Sequence, residues 1–183
     1  MQGHSWPRVP QPGRRAAAGA GITGRVRAST DGWTTCAQGH QHWGLAGAAG
    51  LLLHREGEQG PEVLLQHRAG WSHHGGTWGT PGGALHEGET ADVGALREVR
   101  EELGLVPEDV VLGAVSVDDH GGWSYTTVLA RTVRPIEVAE LRLDGESDGA
   151  AWLPLSGLED VDLHPGLADS LDRLLPMLRH AGP

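Results

Sequence analysis

Lysine, asparagine and phenylalanine are absent from this 183-residue chain, and cysteine and tyrosine occur once each. The single cysteine, Cys36, excludes an internal disulfide framework and fits a reducing cytoplasm. All fourteen cations are therefore arginine, and glycine is abundant at 29 residues. Together with the many alanines, leucines and valines, this is the imprint of a GC-rich genome and reports ancestry rather than chemistry. No apolar run approaches the roughly 20 residues of a membrane-spanning helix. The longest, 48–53, is interrupted by Gly50. The N-terminus has arginines and prolines but no apolar stretch behind them, so no signal peptide is expected.

Charge is unevenly placed. Residues 1–31 hold five arginines against Asp31 alone, a balance of +4, so the rest of the chain carries −14 of the total −10. So acidic a body disfavours general nucleic-acid binding, which depends on cations neutralising phosphates. A polyanionic substrate would need a divalent cation as mediator. Residues 1–31 lack periodicity and are rich in Gly, Ala, Pro and Arg, which predicts a disordered leader ahead of one domain over 32–183. Within the leader, 19–24 matches G-x-G-x-x-G, but no strand precedes it and glycine is common, so it carries nothing.

From Trp43 onward the pattern is that of a folded domain. Segments 47–54 and 62–68 read as strands around a polar turn, and 69–83 as a loop rich in Gly, His and Trp. Thr90 begins a helix reaching about Leu103, closed by Gly104 and Pro107, with Ala91, Ala95, Val99 and Leu103 forming its apolar stripe. Segments 110–117 and 123–130 form a hairpin about 118–122, and 150–155 is another strand. Residues 166–179 form a last amphipathic helix, perturbed by Pro176. The class is α/β (α+β) with a mixed sheet.

The chemistry concentrates in 83–105, GALHEGETADVGALREVREELGL. Glu98, Glu101 and Glu102 stand at i, i+3 and i+4 and so share one helix face, where three like charges are costly unless a cation neutralises them. Hard carboxylate oxygens suit Mg²⁺ (or Mn²⁺), and the turn at Pro81-Gly82-Gly83 can present a backbone carbonyl to the same ion. A solvated acidic face is the alternative for such a cluster on its own.

The whole stretch resembles the Nudix box, G-x5-E-x7-R-E-U-x-E-E-x-G-U with U aliphatic. Gly83, Glu89, Arg97, Glu98, Val99, Glu101, Glu102, Gly104 and Leu105 fill every defined position. The resemblance implies an α/β/α sandwich that hydrolyses a nucleoside diphosphate linked to another moiety. It implies Mg²⁺ bound by Glu98, Glu101, Glu102 and the Gly82 carbonyl, with Gly83, Glu89 and Gly104 structural and Arg97 pairing with Glu89. The metal would neutralise the pyrophosphate and acidify a bound water, whose proton a glutamate removes. Glu98 is the first choice for that base. Some members use an acid outside the box, which makes Glu146 the second candidate, with a surface loop acid as its plain alternative.

For the substrate, Trp71, Trp78, Trp123 and Tyr125 are candidates to stack a nucleobase and Arg68 is a further candidate for substrate binding, core packing being the competing role for each tryptophan. Trp71, His73 and His74 share the 69–83 loop. The proline expected of ADP-ribose hydrolases is missing from 117–122, and 64–69 only begins like the motif of coenzyme A hydrolases. By elimination the chain is most similar to MutT-like members, which turn nucleoside triphosphates into monophosphate and pyrophosphate. A non-nucleotide (prenyl or sugar) diphosphate is the alternative substrate, and a non-catalytic nucleotide sensor the alternative class. An isopentenyl diphosphate isomerase would need a catalytic cysteine, for which Cys36 is poorly placed. Members often dimerise, so a homodimer is possible.

Two further patterns carry less. Residues 145–149 match the nucleophile-elbow pattern G-x-S-x-G, but a strand follows where a helix is required. Cys36, His40 and His42 suggest a zinc knuckle, but four ligands are needed and no partner pair is evident, so a short loop into the first strand is the simpler reading.

Overall fold

Consecutive leucines dictate the architecture. A strand whose neighbouring side chains are all apolar must be covered on both faces, because successive residues point to opposite sides. Leu51 and Leu53 lie with Leu64, Val128 and Ala130 in a cluster completed by Ala95, Val99 and Leu103 of the helix 91–103. Leu52 joins Val63, Leu65 and Leu129 in a second cluster, closed by Leu158 and by Leu167, Leu174 and Leu178 of the last helix. A sheet between two helical layers follows, in agreement with the α/β/α sandwich expected above.

The computed structural model describes residues 30–180. In chain order these form β1 (Trp33–Thr35), β2 (Gln41–Trp43), β3 (Ala48–Gly57), β4 (Gly60–Arg68), β5 (Trp78–Gly79), β6 (Gly82–Ala84), α1 (Ala91–Leu103), β7 (Val110–Asp119), β8 (Ser124–Thr132), β9 (Ser147–Pro154) and α2 (Pro165–His180). The main sheet runs β5-β4-β3-β8-β7, with β6 paired to β3 and β9 paired to β4. β3 and β8 are parallel and the other pairings antiparallel, so the sheet is mixed. β3 pairs with β4 over 54–57 and with β6 over 48–50, so the two long strands part where β6 enters. That divergence puts the 81–83 turn beside the start of β3, and α1 packs directly behind it.

Several boundaries differ from those read in the sequence. The loop 69–83 contains β5 and β6, which are too short to show a periodicity of their own. The segment ahead of the first long strand is a hairpin, β1 pairing β2 from Trp33–Trp43 to Thr35–Gln41, rather than a short loop. α2, Pro165–His180, runs through Pro176 as expected and extends one residue further at each end. Of the expected leader, residues 1–29 lie outside the described residues. Thr30 is buried, its hydroxyl donating to the Leu85 carbonyl, so ordered packing begins within the stretch assigned to the leader. Gly104, at φ 74°, takes the left-handed position that ends α1, and its N–H donates to the Arg100 carbonyl at 3.1 Å. Among the described residues no helix is long and apolar enough to cross a membrane.

Two-sided burial makes a simple prediction on β4, where Leu64 and Leu65 are both fully buried but belong to opposite clusters. Leu64→Ala and Leu65→Ala should each cost about 2–5 kcal/mol in urea unfolding. A one-faced sheet would leave one of the two nearly neutral.

Candidate active site

Helix α1 carries four charged residues of the motif, Arg97, Glu98, Glu101 and Glu102, and the Arg97 guanidinium organises most of the acids around it. Arg97 Nε and Nη2 donate to Glu89 at 3.1 and 2.9 Å, and Nη2 also reaches the Ala84 carbonyl at 2.9 Å. Nη1 donates to Glu98 at 2.6 Å and to Glu101 at 3.4 Å. Glu89 takes a further bond from the His86 N–H at 2.9 Å. Arg97 thus ties the turn after β6 to the first half of α1. The Arg97 hydrogen bonds, with that of His86, hold the Glu89 carboxyl below its usual range despite burial.

Glu102 is treated differently. Its residue is buried, and its partners are amides: the Gly82 N–H donates to Oε2 at 2.8 Å, and the Gln66 side chain hydrogen-bonds the same carboxyl. Gln66, itself buried, accepts from the Ser147 hydroxyl at 2.9 Å, which fixes its amide with the N–H₂ toward Glu102. Burial first, then the nearby charges of Glu98 and Asp144, push Glu102 up to about 8. Burial likewise raises Glu98, opposed by Arg97 and reinforced by Glu101 and Glu146. Glu101, by contrast, is mostly exposed.

The 81–83 turn closes on these carboxylates only because positions 82 and 83 lack side chains. A Cβ on Gly83 would sit 2.6 Å from Glu98 Oε1, and one on Gly82 would sit 2.5 Å from the Ala49 carbonyl oxygen. Tyr125 packs under the same turn. Its hydroxyl is 3.4 Å from Thr80 Oγ1, and burial pushes the phenol up to about 12.

The structure therefore brings Gly82, Gly83, Glu89, Arg97, Glu98, Glu101 and Glu102 together. Glu146 lies exposed in the loop before β9, within electrostatic reach of Glu98, and its carbonyl accepts from the Ala69 N–H at 2.8 Å. Of the residues considered for the substrate, Trp78 packs with the α2-side core and beside His67, at 5.0 Å between centroids. Trp123 stacks on His42 at 3.9 Å and donates to the Gly44 carbonyl. Both have a packing role, the alternative weighed for them. Arg68 Nε donates to the His73 carbonyl at 3.0 Å, on the loop that also carries the highly exposed Trp71.

Three contributors escaped the sequence reading: Gln66, Ser147 and Asp144. Gln66 lies on a strand that reads as simply apolar, where one polar residue directly after Val63, Leu64 and Leu65 is the available signal. In the sequence Ser147 stands out only through the 145–149 pattern G-x-S-x-G. Asp144, whose N–H donates to the Glu102 carbonyl at 3.2 Å, lies two residues before the Glu146 that was singled out.

Chemically, the site offers clustered hard oxygens, two of them on carboxyls that burial makes reluctant to ionise. That is a donor set for a small divalent cation and for the phosphates it bridges. Comparison with known proteins agrees with the motif. The family model described as NUDIX domain matches residues 44–175. A Mycobacterium tuberculosis protein named "Putative 8-oxo-dGTP diphosphatase 3" is 44% identical over 157 residues, covering 82% of this chain and 71% of that protein. A Bifidobacterium longum "Nucleoside triphosphate pyrophosphatase/Nudix hydrolase fusion protein" is 43% identical over 136 residues, 73% of this chain; the match spans only 28% of its length. Among solved structures, a Nudix hydrolase from M. smegmatis, RenU, aligns with a TM-score of 0.76 at 38% identity, covering 84% of this chain and 98% of that one.

The opposite shifts of Glu89 and Glu102 set opposite pH dependences. Glu89, lowered by folding, contributes stability above its ordinary value near 4.5, which is lost as pH falls through its folded value. Glu102, raised by folding, favours the native state below 4.5, and that contribution is lost as pH rises toward and past 8. In metal-free buffer, Glu102→Gln should therefore flatten the decline of Tm between these values, and Glu89→Gln should flatten the decline on the acid side. Parallel pH–Tm curves for wild type and Glu102→Gln would refute the assignment.

Proposed function

The chain belongs to the NUDIX domain family, a hydrolase of phosphorus-containing anhydrides, and we propose that it is a Mg²⁺-dependent nucleoside triphosphate pyrophosphohydrolase of the MutT type. One observation carries the reading. Glu102, a deeply buried carboxyl held by amide donors, stands beside Glu98 at the turn the motif requires. An isolated acidic surface needs no such arrangement, whereas a cation site does. The names of the relatives support a nucleotide substrate.

On this reading Glu98, Glu101, Glu102 and the Gly82 carbonyl hold the divalent cation. A cation held there would neutralise the polyphosphate and polarise the attacked phosphorus. Arg97 is a positioning residue that fixes Glu98 and Glu101 relative to the turn. Glu98 removes the proton of the attacking water. Glu146 is the second candidate for that step, close enough to Glu98 for the two charges to interact. Gly83 leaves room for the Glu98 carboxylate, and Glu89 and Gly104 hold the two ends of the helix segment. Arg68 faces the polyphosphate from the end of β4. Trp71, exposed on the loop joined to the Glu146 loop, is a better base-stacking group than Trp78, Trp123 or Tyr125, whose rings have packing partners.

The test is turnover of a panel of nucleoside triphosphates, including oxidised guanine forms, with nucleotide sugars and prenyl diphosphates alongside. Pyrophosphate should be released from triphosphates, stop with chelator, and return with Mg²⁺. Glu98→Gln should lower kcat by roughly 10²–10⁴-fold while the protein stays folded. Release from a prenyl or sugar diphosphate alone would replace the substrate, and binding of nucleotides without turnover would replace the enzyme with a sensor.

A further inference from the structure

Away from the carboxylates, the β1–β2 hairpin meets the turn between β7 and β8, and four metal-ligating side chains converge there. They are Cys36, His40, His42 and His120, and a ligating atom from each lies within 4.8 Å of the other three. The sequence showed three of them and lacked a fourth. Topology supplies it, because parallel pairing of β3 with β8 carries the far end of the β7–β8 hairpin to the N-terminal hairpin.

The cluster is braced by its backbone. The Cys36 N–H donates to the His40 carbonyl at 3.0 Å, and the Gly39 N–H to the Cys36 carbonyl at 3.0 Å. The Ala37 N–H donates to the Gly121 carbonyl at 2.8 Å and so joins the two turns directly. His42 is held flat against Trp123, their planes 9° apart.

A second observation points to a ligand. His42 Nε2 and His120 Nδ1 are buried without a hydrogen-bond partner among the described residues. Buried polar atoms are normally satisfied, so two orphans on adjacent rings, 4.7 Å between centroids, need an explanation. The other nitrogen of His120 supplies a hint. Nε2 lies 3.2 Å from Asp118 Oδ2, and Asp118 is braced in turn by Arg173 at 3.1 Å. A ring N–H donated to Asp118 leaves the lone pair on Nδ1, the arrangement that carboxylates impose on metal-binding histidines.

We propose that Cys36, His40, His42 and His120 form a structural zinc site that fastens the N-terminal hairpin to the β7–β8 turn. One thiolate and three imidazoles suit zinc and are poor ligands for the Mg²⁺ that carboxylates attract, so the two sites take different metals. Four protein ligands close the coordination shell, which fits a structural rather than a catalytic ion. A tetrahedral shell with bonds of about 2.0–2.3 Å needs ligand atoms roughly 3.5 Å apart, so the side chains must draw in only slightly. Binding displaces the Cys36 thiol proton to solvent.

The test uses the purified full chain. Metal analysis after equilibration with zinc should give one tightly held ion per chain. Cobalt titration of the wild type should give a thiolate-to-cobalt charge-transfer band with the intense ligand-field absorption of tetrahedral coordination. Cys36→Ser and His120→Ala should lose the ion, and Asp118→Ala should weaken it by roughly 10–100-fold. Glu98→Gln should keep it, which separates it from the carboxylate site. His164→Ala should also keep it, which separates it from the more exposed group of His73, His74 and His164. The cobalt spectrum is read on unaltered protein, so a variant that fails to fold does not decide the matter. A cobalt complex without thiolate absorption, or a zinc content indifferent to Cys36 and His120, would overturn the proposal.

Discussion

Arg97 cannot satisfy every carboxylate around it, and much of the site follows from that shortage. Its guanidinium meets Glu89, Glu98, Glu101 and a backbone carbonyl, which uses its fork of donors fully. Glu102 sits one turn beyond Glu98 on the same helix face and takes its hydrogen bonds from Gly82 and Gln66. The outcome is a graded set of acids. Glu89 is held low, Glu98 is raised against its own ion pair, and Glu102 is raised to about 8. A helix face built in this way costs folding stability at neutral pH.

The sheet makes the arrangement rigid. Where β3 leaves β4 and takes β6 as its partner, the Pro81-Gly82-Gly83 turn is pinned at the start of β3, and the Leu51 N–H donates to the Pro81 carbonyl at 3.0 Å. Gln66 is positioned by β4 and its bond to Ser147 by the neighbouring β9, so Glu102 is oriented by strands as well as by its own helix. Both cores support this frame, α1 from one face and α2 from the other.

How much of this could be read in advance varied with the range of the interaction. Helix α1 was legible because its signals are local: a stripe of apolar residues every fourth position, a glycine stop, and carboxylates at i, i+3 and i+4. The pairing of Arg97 with Glu89 also followed from the motif. What escaped was set by register between strands distant in sequence. Gln66 and Ser147 become partners only when β4 and β9 align, and His120 meets Cys36 only when β8 lies parallel to β3. The short strands β5 and β6 were hidden in a glycine-rich segment because two or three residues carry no period. Trp123 and Tyr125 flank the start of one strand, and packing sends one ring to His42 and the other hydroxyl beneath the glycine turn.

Burial leaves the Glu102 carboxyl largely protonated at neutral pH, and the proposed function requires a divalent cation to displace that proton. The most direct measurement is the number of protons released when Mg²⁺ binds, from calorimetry in buffers of different ionisation enthalpy. Near pH 7 the account predicts release approaching about one proton per ion, falling away well above pH 8 and largely lost in Glu102→Gln. Mg²⁺ binding at pH 7 with no proton release, or with the same release in Glu102→Gln, would contradict it.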